Sequence, residues 1–191
     1  MLGELDDLNV PRYYALAAIY HIGKEDIGRR RLADEIGLTE SKTRTMLDHL
    51  RETGYIEVQE TLALTGRGAD VRDELAACIK DVAPVSLDYL ADDRETLAVL
   101  VTGASLESEL SLRDEAVRAG ASGVTILQYD GGFRFPDRAE PDNDAYRGDR
   151  GRLDAVFGER ASDGDLLLAV FAGTMADATA GMWRTLLMLL E

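Results

Sequence analysis

The chain has 191 residues, 46% of them apolar, which suits one or two domains with a buried core. Its 36 acidic residues outnumber its 21 basic ones, for a net charge of −15 at pH 7. That balance excludes a uniformly basic nucleic-acid binder and leaves room only for a local basic face. No run of about 18 apolar residues occurs, so no membrane span is expected.

The acidic start, Met1 to Asp7, lacks a signal-peptide pattern, and Cys78 is the lone cysteine. Both point to a cytoplasmic protein without an intrachain disulfide. Cys78, His21 and His49 make no zinc constellation, and no metal or cofactor is expected. Lysine is scarce, standing only at Lys24, Lys42 and Lys80. An acidic, lysine-poor surface fits a salt-filled cytoplasm, where the Debye length falls to about 3 Å near roughly 1 M salt. The alternative is an ordinary acidic surface that serves solubility.

A first helix is expected over Pro11 to Ile22, capped by Asn9 and ended by Gly23. Next, Leu32, Ala33 and Ile36 make an apolar stripe, and Gly37 suits a sharp helix end. Thr39 or Ser41 can cap a second helix. In it Thr43, Leu47 and Leu50 repeat at i, i+4 and i+7 and face inward. Lys42, Arg44, Thr45, Asp48 and His49 are left outside. Gly54 stops this helix, Tyr55 to Gln59 alternates like a strand, and Thr61 to Thr65 reads as its partner. Gly66-Arg67-Gly68 is expected to turn the chain out of the second strand.

Helix, tight turn, helix and two strands make a winged helix-turn-helix. Leu38-Thr39-x-Ser41-x-Thr43, Leu50-x-x-x-Gly54-Tyr55-Ile56 and Leu64-Thr65-x-x-Gly68 carry a resemblance to prokaryotic winged-helix regulators of the multiple-antibiotic-resistance type. The resemblance covers roughly residues 10–70 and implies double-stranded DNA as the partner. It places Arg30, Thr39, Ser41, Lys42, Arg44, Thr45, His49 and the wing residue Arg67 at the DNA. The alternative is a winged helix used only for protein contact. Glu40, Asp48 and Glu52 dilute the positive charge of the second helix.

Ala69 to Val82 reads as a further helix, ended by Pro84. Buried strands are expected at Leu97 to Thr102, Val124 to Tyr129 and Leu166 to Phe171. Asp130-Gly131-Gly132 signals a hairpin into Phe133 to Phe135. Helices are expected over Glu107 to Ala119, Arg150 to Ala161, and from Thr174 to Leu190, with Asp177 placed for a capping box. In the first of these, Leu110 and Val117 count among the packing residues. Residues 137–147 read as a mobile acidic loop.

The resulting fold class is α+β: an N-terminal winged helix-turn-helix and a ferredoxin-like domain, βαββαβ plus a C-terminal helix. The boundaries are 1–68 for the DNA-binding domain, 69–83 for a linker helix and 84–191 for a dimerisation or effector-binding domain. In architecture alone this resembles the leucine-responsive regulators. The whole chain resembles uncharacterised archaeal proteins that join a winged helix to a C-terminal domain of unknown function.

By that analogy a small anionic effector would sit at Thr102, Gly103, Ala104 and Ser105, a turn leading into a helix. Arg134 beside Gly131 and Gly132 could clamp a carboxylate or phosphate. The alternatives are a plain strand-to-helix turn and a solvent-facing arginine. Met175, Met182, Leu186 and Leu189 line the last helix, for packing on its own sheet or for pairing with a second subunit. No nucleophile–histidine–acid set, P-loop or dinucleotide motif is present, so no catalytic residues are expected. The expected function is a homodimeric DNA-binding transcription regulator. Alternatives are an enzyme acting on a nucleotide-like metabolite with an accessory winged helix, or a protein-interaction adaptor.

Overall fold

Apolar spacing accounts for the first elements of the computed structural model, which describes residues 11–58, 61–103, 109–136 and 139–190. Helix α1 (Arg12–Lys24) buries Leu16, Ala17, Ile19 and Ile22. Its cap is Pro11, while Asn9 lies outside the described residues. Helix α2 (Arg29–Ile36) buries Leu32, Ala33 and Ile36. Helix α3 (Glu40–Glu52) buries Thr43, Met46, Leu47 and Leu50. Strands β1 (Ile56–Val58) and β2 (Leu62–Leu64) pair antiparallel, with Ile56 opposite Leu64.

Helix α4 (Gly66–Cys78) starts earlier and stops earlier than the sequence pattern suggests. Gly66-Arg67-Gly68 is its first turn rather than a loop. Thr65 caps it, its Oγ1 accepting from the Gly68 N–H at 3.3 Å and its carbonyl from the Ala69 N–H at 2.8 Å. The expected linker helix over 69–83 is therefore realised only as far as Cys78. Residues Ile79–Val85 form strand β3, which pairs antiparallel with β4 (Glu95–Val101). Pro84 sits within β3, at the edge of a sheet, where a missing N–H is tolerated. The two compact units of the chain divide between Ala77 and Cys78.

The C-terminal unit continues with α5 (Glu109–Arg118), β5 (Gly123–Tyr129), β6 (Phe133–Arg134), α6 (Asp144–Phe157), β7 (Leu166–Ala172) and α7 (Met175–Leu190). Its sheet runs β3-β4-β7-β5-β6, with all neighbours antiparallel. This corrects the ferredoxin-like expectation within an α+β architecture. That fold puts its third strand at the centre, whereas here the corresponding strand, β6, is two residues long and lies at the edge. Positive-φ glycines Gly131 and Gly132 precede β6 and Pro136 follows soon after it, so it cannot lengthen. The apolar β7, Leu-Leu-Leu-Ala-Val-Phe-Ala, takes the centre because burial there covers both of its faces.

Alternation along the strands divides the core. Leu100, Leu127, Leu167 and Ala169 cluster with Tyr146, Leu153 and Phe157 of α6. The intervening residues point to the opposite face by the strand pleat, where α5 and α7 pack on each other and on β4, β5 and β7. Leu112 and Ala116 of α5 are buried, but Leu110 is 71% and Val117 48% exposed, contrary to the packing role expected for them. Met182 and Leu186 of α7 are buried, so they form no outward stripe. The Thr174 hydroxyl accepts from the Asp177 N–H at 3.2 Å and donates to its carboxylate at 2.7 Å, as a capping pair should.

Helix α6 begins six residues before the sequence pattern suggests, inside the stretch read as a mobile acidic loop. Asn143 caps it by accepting from the Tyr146 N–H at 2.8 Å, and the Tyr146 ring is buried. Gly148, Gly151 and the surrounding charges hide the helical period. From α6 the fully buried Asp149 carboxylate accepts the N–H groups of Asp88, Tyr89 and Leu90 at 2.8–3.0 Å. It thereby holds the β3–β4 connection against α6. Arg152 pairs with the same carboxylate at 3.0 Å.

Asp149→Ala orphans three amide donors and should cost about 3 kcal/mol or more. Urea unfolding followed by the fluorescence of Trp183, the single tryptophan, checks this in the C-terminal unit. In the N-terminal unit, burial pushes the His21 imidazole below its ordinary value of 6.5, with Glu35 opposing part of the shift. Folding favours the neutral ring, so the contribution of His21 to stability is full above pH 6.5 and is lost as pH drops from there toward the folded value. With exchange corrected for its intrinsic pH dependence, the protection of α1 amides should fall over that window in the wild type and stay level in His21→Gln.

Candidate nucleic-acid interface

Backbone geometry sets the angle between α2 and α3. Gly37 takes φ 71°, and the Leu38 N–H returns to the Ala33 carbonyl at 3.0 Å, closing α2. Thr39, not Ser41, caps α3, its hydroxyl accepting from the Lys42 N–H at 3.4 Å. With Thr43, Met46, Leu47 and Leu50 turned inward, α3 presents Ser41, Lys42, Arg44, Thr45 and Asp48 outward. Lys42 and Arg44 take part in no ion pair among the described residues, and both stand in the first turns, where the helix dipole adds positive potential. Arg51 pairs with Asp48 at 3.5 Å, and Arg30, 86% exposed, reaches Glu40 at 3.9 Å.

Two expected contacts sit elsewhere. His49 is half-buried, with Nε2 enclosed and unpartnered among the described residues. It stands one turn after Met46, at the border of the inward stripe, which draws the ring inside. Arg67 lies in α4 rather than in the wing. Its Nη1 donates to the Thr53 carbonyl at 2.8 Å, and its guanidinium covers the Tyr55 ring at 4.4 Å. Residues 59 and 60, between the wing strands, lie outside the described residues.

Arg67 is one part of a clamp that sequence reasoning missed. The Tyr55 carbonyl accepts from the Thr65 N–H at 3.1 Å and from the Thr65 hydroxyl at 3.2 Å. That hydroxyl also lies 2.6 Å from the Gly54 carbonyl. A Cβ on Gly68 would stand 2.1 Å from the Tyr55 oxygen. The start of α4 is thus pressed onto the exit of α3, and this explains the spacing Leu64-Thr65-x-x-Gly68. That motif and Tyr55 were both visible in the sequence as landmarks, but the contact between them was not.

The turns proposed for an effector are occupied from within. The Gly103 N–H donates to Asp165 at 3.3 Å and the Thr102 N–H to the Cys78 carbonyl at 2.8 Å. Ala104 and Ser105 lie outside the described residues. The Gly131 N–H donates to Asp163 at 3.3 Å, and Arg134 pairs with Asp130 and Glu140, each at 3.8 Å. Asp165, itself buried, also binds Lys80. Carboxylates of the chain therefore stand where an anion would bind.

Residues 93–189 match the family described as a domain of unknown function, DUF4443. The chain belongs to the DUF4443 family. Before the DUF4443 region, residues 10–79 match the CggR N-terminal DNA binding domain. A hypothetical protein from Pyrococcus horikoshii OT3 has a similar solved structure, with a TM-score of 0.77 and 26% identity over 95% of this chain and 93% of that one. No curated protein matches the chain.

Gly68→Ala drives a methyl group into the Tyr55 carbonyl and should destabilise the N-terminal unit by about 3 kcal/mol. Faster amide exchange across α3, with the Trp183 signal of the other unit unchanged, is the expected result.

Proposed function

We propose that this DUF4443 protein is a DNA-binding transcription regulator that works as a homodimer. The observation that carries the reading is the exposed stripe Ser41, Lys42, Arg44 and Thr45 on α3. It stands in a unit similar to the CggR N-terminal DNA binding domain. In this reading α3 enters the major groove. Arg44 contacts a guanine edge or a phosphate, and Lys42 a phosphate. Arg30 reaches the backbone from α2. Arg67 positions α3 by holding its exit and does not touch DNA. The wing suits a multiple-antibiotic-resistance type of domain.

The acidic, lysine-poor surface favours a salt-rich archaeal cytoplasm as the setting, where only a local basic patch is needed. The C-terminal unit serves as the dimerising part, so that two α3 helices meet two half-sites. An anionic effector at Thr102–Gly103 or at Arg134 would have to displace Asp165 or Asp163 from the amides they hold. The role is regulatory rather than enzymatic.

Lys42→Ala with Arg44→Ala should weaken DNA binding by roughly a hundredfold or more. The fold should remain, since neither side chain faces the core. The check is in-cell crosslinking and sequencing of bound DNA, with the double variant beside the wild type. Sharp wild-type peaks sharing an inverted repeat, absent in the variant, are expected. Equal profiles for the two chains would discard this reading.

A further inference from the structure

The C-terminal sheet ends unevenly. Strand β6 covers only Gln128 and Tyr129 of β5. From Gly123 to Leu127 the outer edge of β5 has no strand beside it among the described residues. An open strand edge is a template for another strand, and proteins usually blunt it with charge or proline. Gly123-Val124-Thr125-Ile126-Leu127 carries neither, in a chain where 30% of residues are charged. A cleft of about 260 Å³ adjoins this edge, lined by Gly123 to Ile126, by Phe171 of β7 and by Glu109, Leu110 and Arg113 of α5.

Helix α5 extends the same surface. Leu110, Arg113, Asp114 and Val117 stand at i, i+3, i+4 and i+7, which is one face of a helix. All four are exposed. Neither Arg113 nor Asp114 takes part in an ion pair among the described residues. The inner side of the helix is engaged elsewhere, through Leu112, Ala116 and Glu115, the last held by Arg118 and Arg184. The outer stripe is chemically self-complementary: an apolar residue at each end and two opposite charges between.

We propose that a second copy of this chain docks on the α5 stripe and the open edge of β5, joining the two sheets edge to edge. Across a two-fold axis the stripes run antiparallel. Leu110 then meets the partner's Val117, and Arg113 meets the partner's Asp114. A charge of −15 makes copies repel over most of their surface. An uncharged strand edge beside a stripe with one positive and one negative charge adds no like-charge excess to that repulsion. The apolar face of α7 is already buried and does not compete for this role. The inference rests on the homodimeric reading above and assigns its surface.

Sedimentation of the full chain at one fixed salt concentration tests it. The wild type should dimerise. Leu110→Glu and Arg113→Asp should each weaken dimerisation by roughly tenfold or more, because each change acts twice across the axis. Combining Arg113→Asp with Asp114→Arg should restore it. Amide exchange between Gly123 and Leu127 should slow on dimerisation at those amides that are not already bonded to β7. A chain that stays monomeric, a dimer indifferent to both single changes, a swap that restores nothing, or a dimer whose β5 amides exchange freely each overturns the proposal. DNA binding is read separately on the same samples. A monomer that retains DNA fails only here, and a dimer formed through α5 that ignores DNA fails only the regulatory reading.

Discussion

The Tyr55 carbonyl is the point on which the outward face of the N-terminal unit depends. It receives both the amide and the hydroxyl of Thr65, and Gly68 approaches it closely enough to forbid any side chain there. Arg67 adds a bond to the preceding turn and covers the tyrosine ring. Three elements are fastened at this place: the exit of α3, the first wing strand and the start of α4. A recognition helix reads base edges only when its orientation is held, because a misplaced donor forfeits both geometry and specificity. The clamp restrains α3 at its C-terminal end.

A second constraint organises the C-terminal unit. Its most apolar strand, β7, takes the centre of the sheet, between β4 and β5. Helix α6 covers one face and the α5–α7 layer the other. With β7 in the middle, the short β6 is left at an edge and can protect only the last two residues of β5. Among the described residues, the unpaired edge of β5 therefore follows from the choice of central strand.

Electrostatics runs through both units in different ways. On α3 the acidic residues stand among the basic ones, so the helix offers a local positive patch rather than a basic surface. In the C-terminal unit, carboxylates act as internal ligands. Asp149 gathers three amides, and Asp163 and Asp165 occupy turn amides at Gly131 and Gly103. A fixed carboxylate at such an amide satisfies the donor and also repels a second anion. Part of the acidic composition is therefore structural.

The N-terminal elements were legible in the chain because their determinants are local. Apolar residues at helical spacing placed α2 and α3. Gly37 ended one helix, and Thr39 and Ser41 both offered a cap for the next, of which Thr39 takes the role. Thr174 and Asp177 marked the start of α7 in the same way. What depends on partners distant in sequence was not legible. β3 looked like the tail of a helix until β4 paired with it, and α6 was hidden by glycines and charges until Tyr146 found the core. The inward turn of His49, the transfer of Arg67 from wing to clamp and the exposure of Leu110 also depend on neighbours that local spacing does not specify. Local pattern was enough for the helix-turn-helix and its outward basic residues, since these follow from propensity and period over a few turns. The strand order, the clamp at Tyr55 and the edge of β5 left unpaired among the described residues came only with the fold, because each is set by partners distant in the chain.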